Sequence, residues 1–227
     1  VTAAPLTTDE LAVLPVFPLP RVVFFPGSRL PLHLFEPRYR TLIADCLANG
    51  PHAMAIALLA PGWEAHYDGR PPIHDVAGAG RIVAHERLAD GTYNVLLDGV
   101  ARVRLEELAP GEFPYRRARA TTLEATESEQ GVSRADLTAL VSAAAAIAAE
   151  VRRAHGAFSL GIEPGDSPSR LADTIADRLV SDTARRQTIL ETIDVPARVR
   201  LVTSTLAEIL AIVGANGESS RRSDLAH

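Results

Sequence analysis

VLPVFPLPRVVFFPGSRLPLHLFEPRYR, residues 13–40, decides the fold. Phe17, Phe24, Phe25 and Phe35 are concentrated there, and side chains suited to catalysis are almost absent. A strand begins at 13–17. Pro15, Pro18 and Pro20 argue for an edge or bulged strand, because none supplies a ladder donor. Pro26-Gly27 reads as a turn. Leu30, Leu32 and Leu34 then alternate with Pro31, His33 and Phe35, so a strand returns. Glu36-Pro37 opens a helix, with proline at the first helical position where no amide partner is lost. Tyr39, Leu42, Ile43, Cys46 and Leu47 fall on one face of it.

Downstream, 53–59 (AMAIALL) is a short apolar strand and 61–72 a loop holding Trp63 and Tyr67. Residues 73–87 are strand-like but interrupted by Gly78 and Gly80, which predicts a bulge. Asp90-Gly91 between alternating runs is a hairpin signal. Tyr93, Val95 and Leu97 alternate beyond it, Gly99 permits a bend, and Ala101, Val103 and Leu105 alternate again. A last strand covers about 115–123. These strands around one helix predict a curled, barrel-like antiparallel sheet.

After a polar linker at 126–131 (TESEQG) every segment reads as helix. Ser133 to Asp136 resembles a capping box. Leu137, Val141, Ala144, Ile147 and Val151 form one stripe, and Pro168 starts the next helix. Ile189, Leu190 and Ile193 mark a short helix. Val199, Val202, Leu206, Ile209 and Val213 stripe the last one. The expected organisation is a flexible lead-in at 1–12, a β-barrel subdomain at 13–125, a helical subdomain at 132–213 and a polar tail at 214–227.

Composition prunes the functional classes. The chain has 227 residues, enough for a proper core. All 23 basic residues are arginine. Without lysine the chain holds neither a P-loop nor a Ser–Lys dyad. The net charge of −5 disfavours a generic nucleic-acid binder. No apolar run is long enough to span a membrane. The N-terminal sequence shows no secretory pattern, and the one cysteine fits a reducing cytoplasm. A cytoplasmic protein is expected.

Candidate chemistry is sparse. His66, His74 and His85 are a conceivable zinc set, but no ligand spacing supports them, so no metal and no cofactor are expected. Cys46 sits on an apolar helix face and reads as core. Ser28 lacks a nucleophile elbow. Glu36, Arg38 and Arg40 read as helix-start and docking charges. Arg102, Arg104, Arg116, Arg117 and Arg119 would favour an RNA- or nucleotide-binding module if they formed one continuous patch. Trp63 and Tyr67 are recognition candidates. Phe24 and Phe25 would line an apolar groove beside the proline-rich edge, or else belong to the core.

The strings LPVFPLP (14–20), FPG (25–27) and LPLHLFEPRYR (30–40) resemble the amino-terminal, substrate-binding domain of the ATP-dependent protease Lon. GRIVAHERLADGTYNVLLDGVARVRL (80–105), SRLADTIADRL (169–179) and TILETIDVPARVRLV (188–202) extend the resemblance to about 14–213. It implies an α+β protein, a PUA-like pseudo-barrel followed by a helical bundle. It also implies a non-catalytic module that binds unfolded or hydrophobic protein segments, with a Lon-type protease as a candidate partner. In Lon the last helix continues into ATPase and protease domains; here the polar tail after Val213 favours a freestanding domain, with a piece cut from a longer protease as the alternative.

Overall fold

The computed structural model describes residues 4–48, 50–66, 69–123 and 131–224. It divides into two compact units, 1–124 and 125–227.

The first unit holds six strands. They are β1 (Leu14–Leu19), β2 (Arg29–Leu34), β3 (Ala53–Leu58), β4 (Val76–Arg87), β5 (Tyr93–Glu107) and β6 (Arg116–Thr122). They form one sheet of order β2-β5-β4-β3-β1-β6, and a further β5–β6 pairing closes it. Five strands thus make a ring, while β2 is added outside it along residues 93–98 of β5. The sheet is mixed rather than antiparallel throughout, and with β2 outside the ring it is not a clean barrel. β1 runs parallel to β3, with Val16 opposite Ala55 and Leu19 opposite Leu58.

β1 is also not an edge. Leu14, Pro15 and Val16 pair with β6, and Val16 to Leu19 pair with β3. The two partners overlap only at Val16. Pro15 and Pro18 each lie where one side alone is paired, so their missing donors interrupt no ladder.

β3 is buried along its whole length. Met54 and Ile56 belong to one apolar cluster, with Phe17, Leu34 and Leu97. Ala53, Ala55 and Ala57 belong to a second, with Leu14, Val103 and Leu105. Helix α2 (Pro37–Ala48) covers the first cluster with Tyr39, Leu42, Ile43 and Cys46. The Cys46 thiol is 1% exposed and is pushed up to about 12, chiefly by burial and then by Asp45, so it is no nucleophile at neutral pH. The Asp90-Gly91 hairpin forms: Gly91 has φ +80°, and Asp90 accepts from both the amide and the hydroxyl of Thr92.

Residues 20–28 cross the sheet at its glycines. A Cβ on Gly78 would lie 1.8 Å from the Phe24 carbonyl oxygen, and one on Gly99 would lie 2.1 Å from that of Phe25. The Gly27 amide donates to the Gly99 oxygen at 2.9 Å, and the Gly99 amide donates to Ser28 at 2.8 Å. The ladder shifts at Ala79/Gly80, as the glycines imply, and the deeper reason is this close backbone approach.

The segment expected to be a flexible lead-in is ordered from residue 4. Helix α1 (Thr8–Ala12) starts with a complete capping box between Thr7 and Glu10. Leu6 and Leu11 pack on the second apolar cluster. Arg81 clamps the arm, donating to the carbonyls of Ala4 and Pro5 and to both oxygens of Glu10 at 2.8 Å. Partial burial pushes the Glu10 carboxyl up, but Arg81 and the Thr7 amide outweigh this and hold it below its ordinary 4.5. A depressed carboxyl stabilises fully above its ordinary value and loses that contribution as pH falls through the lowered one. Protection of the residue 4–12 amides, taken relative to their intrinsic exchange rate at each pH, is therefore expected to fall as pH drops below about 4.5, ahead of protection in β4 and β5. An equal fall in both would remove the clamp from Glu10.

The second unit holds α3 (Arg134–His155), α4 (Pro168–Leu179), α5 (Thr183–Glu191) and α6 (Val195–Asp224). Ser133, Ser167 and Asp182 cap the first three through their side chains. Val199, Val202 and Leu206 of α6 are fully buried, whereas Ile212 is 61% exposed, so burial of the stripe ends part-way along the helix. α6 continues to Asp224, where a polar tail from 214 was expected. A polar sequence can still satisfy its backbone in a helix, and Ala215, Glu218 and Arg221 are good helix formers.

Arg198, 1% exposed, ties this unit together. It lies 3.3 Å from Asp173 of α4 and donates to the Thr192 carbonyl at 2.7 Å and to Ser169 at 2.5 Å. None of the described helices is long and apolar enough to cross a membrane.

Candidate functional site

The 13–40 stretch builds a groove in the first unit. β1 supplies Phe17, Pro18 and Leu19. β2 supplies Leu32, and Phe35 follows just after its end. The cavity measures about 220 Å³. Phe17 meets Tyr39 edge to face, with ring centroids 4.3 Å apart, and fixes the floor. Phe35 stands on the rim at 63% exposure, and the His33 ring stacks against it at 6.2 Å. Strand alternation explains the exposure. Leu34 turns into the core at 1%, so Phe35, its neighbour just before α2, turns out.

The groove adjoins a second cavity of about 130 Å³, because Arg38, Tyr39 and Arg116 line both. Arg38 pairs with Glu36 at 2.8 Å. Glu107 accepts from Arg70 at 2.9 Å and from Arg116 at 3.1 Å. Tyr115 donates to Asp45 at 2.9 Å, which raises the phenol well above its usual range through burial and then through that carboxylate. Asp45 thus holds the residue just before β6, and Arg40 reaches the hairpin at Gly91.

The residues singled out in the sequence separate. Phe24 and Phe25 are 2% and 0% exposed, so they are core and present no surface. Their backbone is pinned over Gly78 and Gly99, which turns both rings inward. Trp63 is half-buried in a short 3-10 turn (Trp63–His66) and lines neither cavity. Tyr67 lies outside the described residues. Phe35 was missed as a site residue. Its signal was present, since it ends a strand pattern one step before a helix start, out of phase with buried Leu34. The five strand arginines form no continuous patch: Arg102 and Arg116 are 6% and 8% exposed and turn away from solvent. Among the described residues no group of three His, Cys, Asp or Glu side chains is placed to hold a metal.

The profile of the ATP-dependent protease La (LON) substrate-binding domain matches residues 13–208. The chain belongs to the Lon substrate-binding domain family. Lon protease of Anaeromyxobacter dehalogenans is 30% identical over 203 residues, which is 87% of this chain and 23% of that protein. Lon protease 2 of Myxococcus xanthus is also 30% identical, over 87% of this chain and 24% of that protein. The chain therefore spans about a quarter of the length of these relatives. Among solved structures, a Lon N-terminal domain protein from Xanthomonas campestris superposes with TM-score 0.61 at 19% identity, covering 85% of this chain and 97% of that one. The N-terminal domain of Mycobacterium avium complex Lon protease gives TM-score 0.63 at 19% identity, covering 86% and 98%. The α+β architecture is thus that of Lon N-terminal domains.

Proposed function

We propose that this Lon substrate-binding domain is a non-catalytic module that takes up exposed hydrophobic segments of other proteins, with the groove beside Phe35 as the contact. The observation carrying this is an aromatic side chain left 63% in solvent at the rim of an apolar concavity. Exposed apolar surface around a groove marks interaction sites rather than ordinary protein exterior. Apolar burial supplies the affinity, and no covalent chemistry is involved. The chain holds no lysine, so the lysines of a Walker ATPase and of a Ser–Lys protease would come from other domains or another polypeptide. We further propose that such a Lon-type protease is the partner to which clients are delivered. The RNA-binding alternative has lost its main support with the burial of Arg102 and Arg116.

Binding of a reduced, amide-capped unfolded protein, followed by fluorescence anisotropy, tests the groove. Phe35→Ser is expected to weaken it about fivefold or more, the usual cost of truncating an aromatic anchor. Since Phe35 is mostly in solvent, the far-UV spectrum and melting temperature should stay unchanged. Unaltered affinity in Phe35→Ser would place the contact elsewhere.

A further inference from the structure

The groove runs into charge on one side. Arg38, Arg70, Arg116 and Arg117 all face the adjoining cavity. Two carboxylates answer them, Glu36 on Arg38 and Glu107 shared by Arg70 and Arg116. Arg117 lies over the Phe113 ring at 3.8 Å, and among the described residues no carboxylate pairs with it. Among the described residues the cavity therefore has four guanidiniums against three carboxylates, the third being Asp45 on Tyr115. Arg116 is 92% buried there by its 8% exposure, and its guanidinium is lowered first by that burial; Glu107 opposes the effect, while nearby Arg70 and Arg38 add to it. Surplus positive charge in a walled concavity focuses its field on an incoming anion. The planar guanidinium fork matches a carboxylate with two parallel hydrogen bonds.

We infer that the occupant of the groove is an extended apolar segment carrying a carboxylate beside its apolar residues, the acid seated among Arg38, Arg70, Arg116 and Arg117. The inference rests on the peptide-binding reading above and narrows its substrate class. A cavity of about 130 Å³ takes one small group. A nucleic-acid strand would need an unbroken basic track, and Glu106 and Glu107 interrupt it. The carboxylate has two sources, the end of a chain or an aspartate or glutamate side chain.

Fluorescent peptides with one shared apolar sequence separate the outcomes. One ends in a free carboxylate, one in an amide, and one in an amide with an internal glutamate. In a fourth, glutamine replaces that glutamate. At low salt the acidic peptides are expected to bind about tenfold tighter than their neutral counterparts, the scale of one charge-assisted contact. That gap should shrink as salt rises and close in Arg117→Gln, or in Arg38→Gln if the first variant folds poorly. Which acidic peptide gains identifies the source. Equal binding of acidic and neutral peptides overturns the inference and leaves the groove reading standing. Failure of every peptide to bind overturns the groove reading itself. Displacement of the acidic peptide by a short RNA at matching concentration overturns both in favour of a nucleic acid.

Discussion

Gly78→Ala is expected to cost the first unit about 3 kcal/mol or more, at the upper end of what overpacking a tight site does. The added methyl would meet the Phe24 carbonyl oxygen at 1.8 Å and its carbon at 2.7 Å. Both are backbone atoms, and the chain on either side is held. The Gly27 amide is bound to Gly99, and a Cβ on Gly80 would itself strike the Phe24 ring at 2.5 Å. Relief therefore requires lifting the whole crossing, which uncovers Phe24 and Phe25. Gly111→Ala is the matched control, because nothing lies within 4 Å of its added carbon. The single tryptophan, Trp63, lies in this unit and reports its urea unfolding. A midpoint for Gly78→Ala close to that of Gly111→Ala would show that the crossing yields easily, and the packing account of the glycines would fail.

Asp173→Ala is expected to cost the helical unit about 3–5 kcal/mol, the range for stranding one member of a buried ion pair. Arg198 is 1% exposed and keeps its charge at every accessible pH, so it cannot escape by deprotonation. Its contacts to Thr192 and Ser169 stay, but they are neutral acceptors and offset only part of the loss. The double variant Asp173→Leu with Arg198→Met removes both charges and should recover much of the stability, since apolar replacement of a buried pair is often neutral. Helical ellipticity during urea unfolding reads both. Equal loss in the single and the double variant would mean that Asp173 acts by packing and not by charge.

The parts of this fold legible in the sequence are those fixed by neighbouring residues. Pro37 opens α2, Asp90-Gly91 makes its hairpin, and Ser133 and Ser167 cap their helices, each by chemistry contained in a few positions. Thr7-Thr8-Asp9-Glu10 carries an equally local capping-box signature, and reading it would have ordered the arm. The parallel pairing of β1 with β3 was not legible. Alternation with period two assigns faces and says nothing of partner or direction. The site was opaque for a related reason. Phe17, Phe24, Phe25 and Phe35 look alike in an apolar stretch, and only tertiary contact makes three of them core and leaves Phe35 outside. The arginine cluster draws on residues 38, 70, 116 and 117, which no spacing rule connects.

The split pairing of β1 also governs how the first unit comes together. Leu14 waits for Ala118, while Val16 to Leu19 meet their other partner as soon as β3 exists. A chain emerging from its N-terminus therefore holds an apolar strand with one open flank until nearly all of this unit has been made. Of the sheet's pairings, ring closure joins the strands most distant in sequence and so carries the largest loop-closure cost. Before it, the nascent chain itself exposes an apolar strand flank, the kind of segment proposed above as the client of its groove.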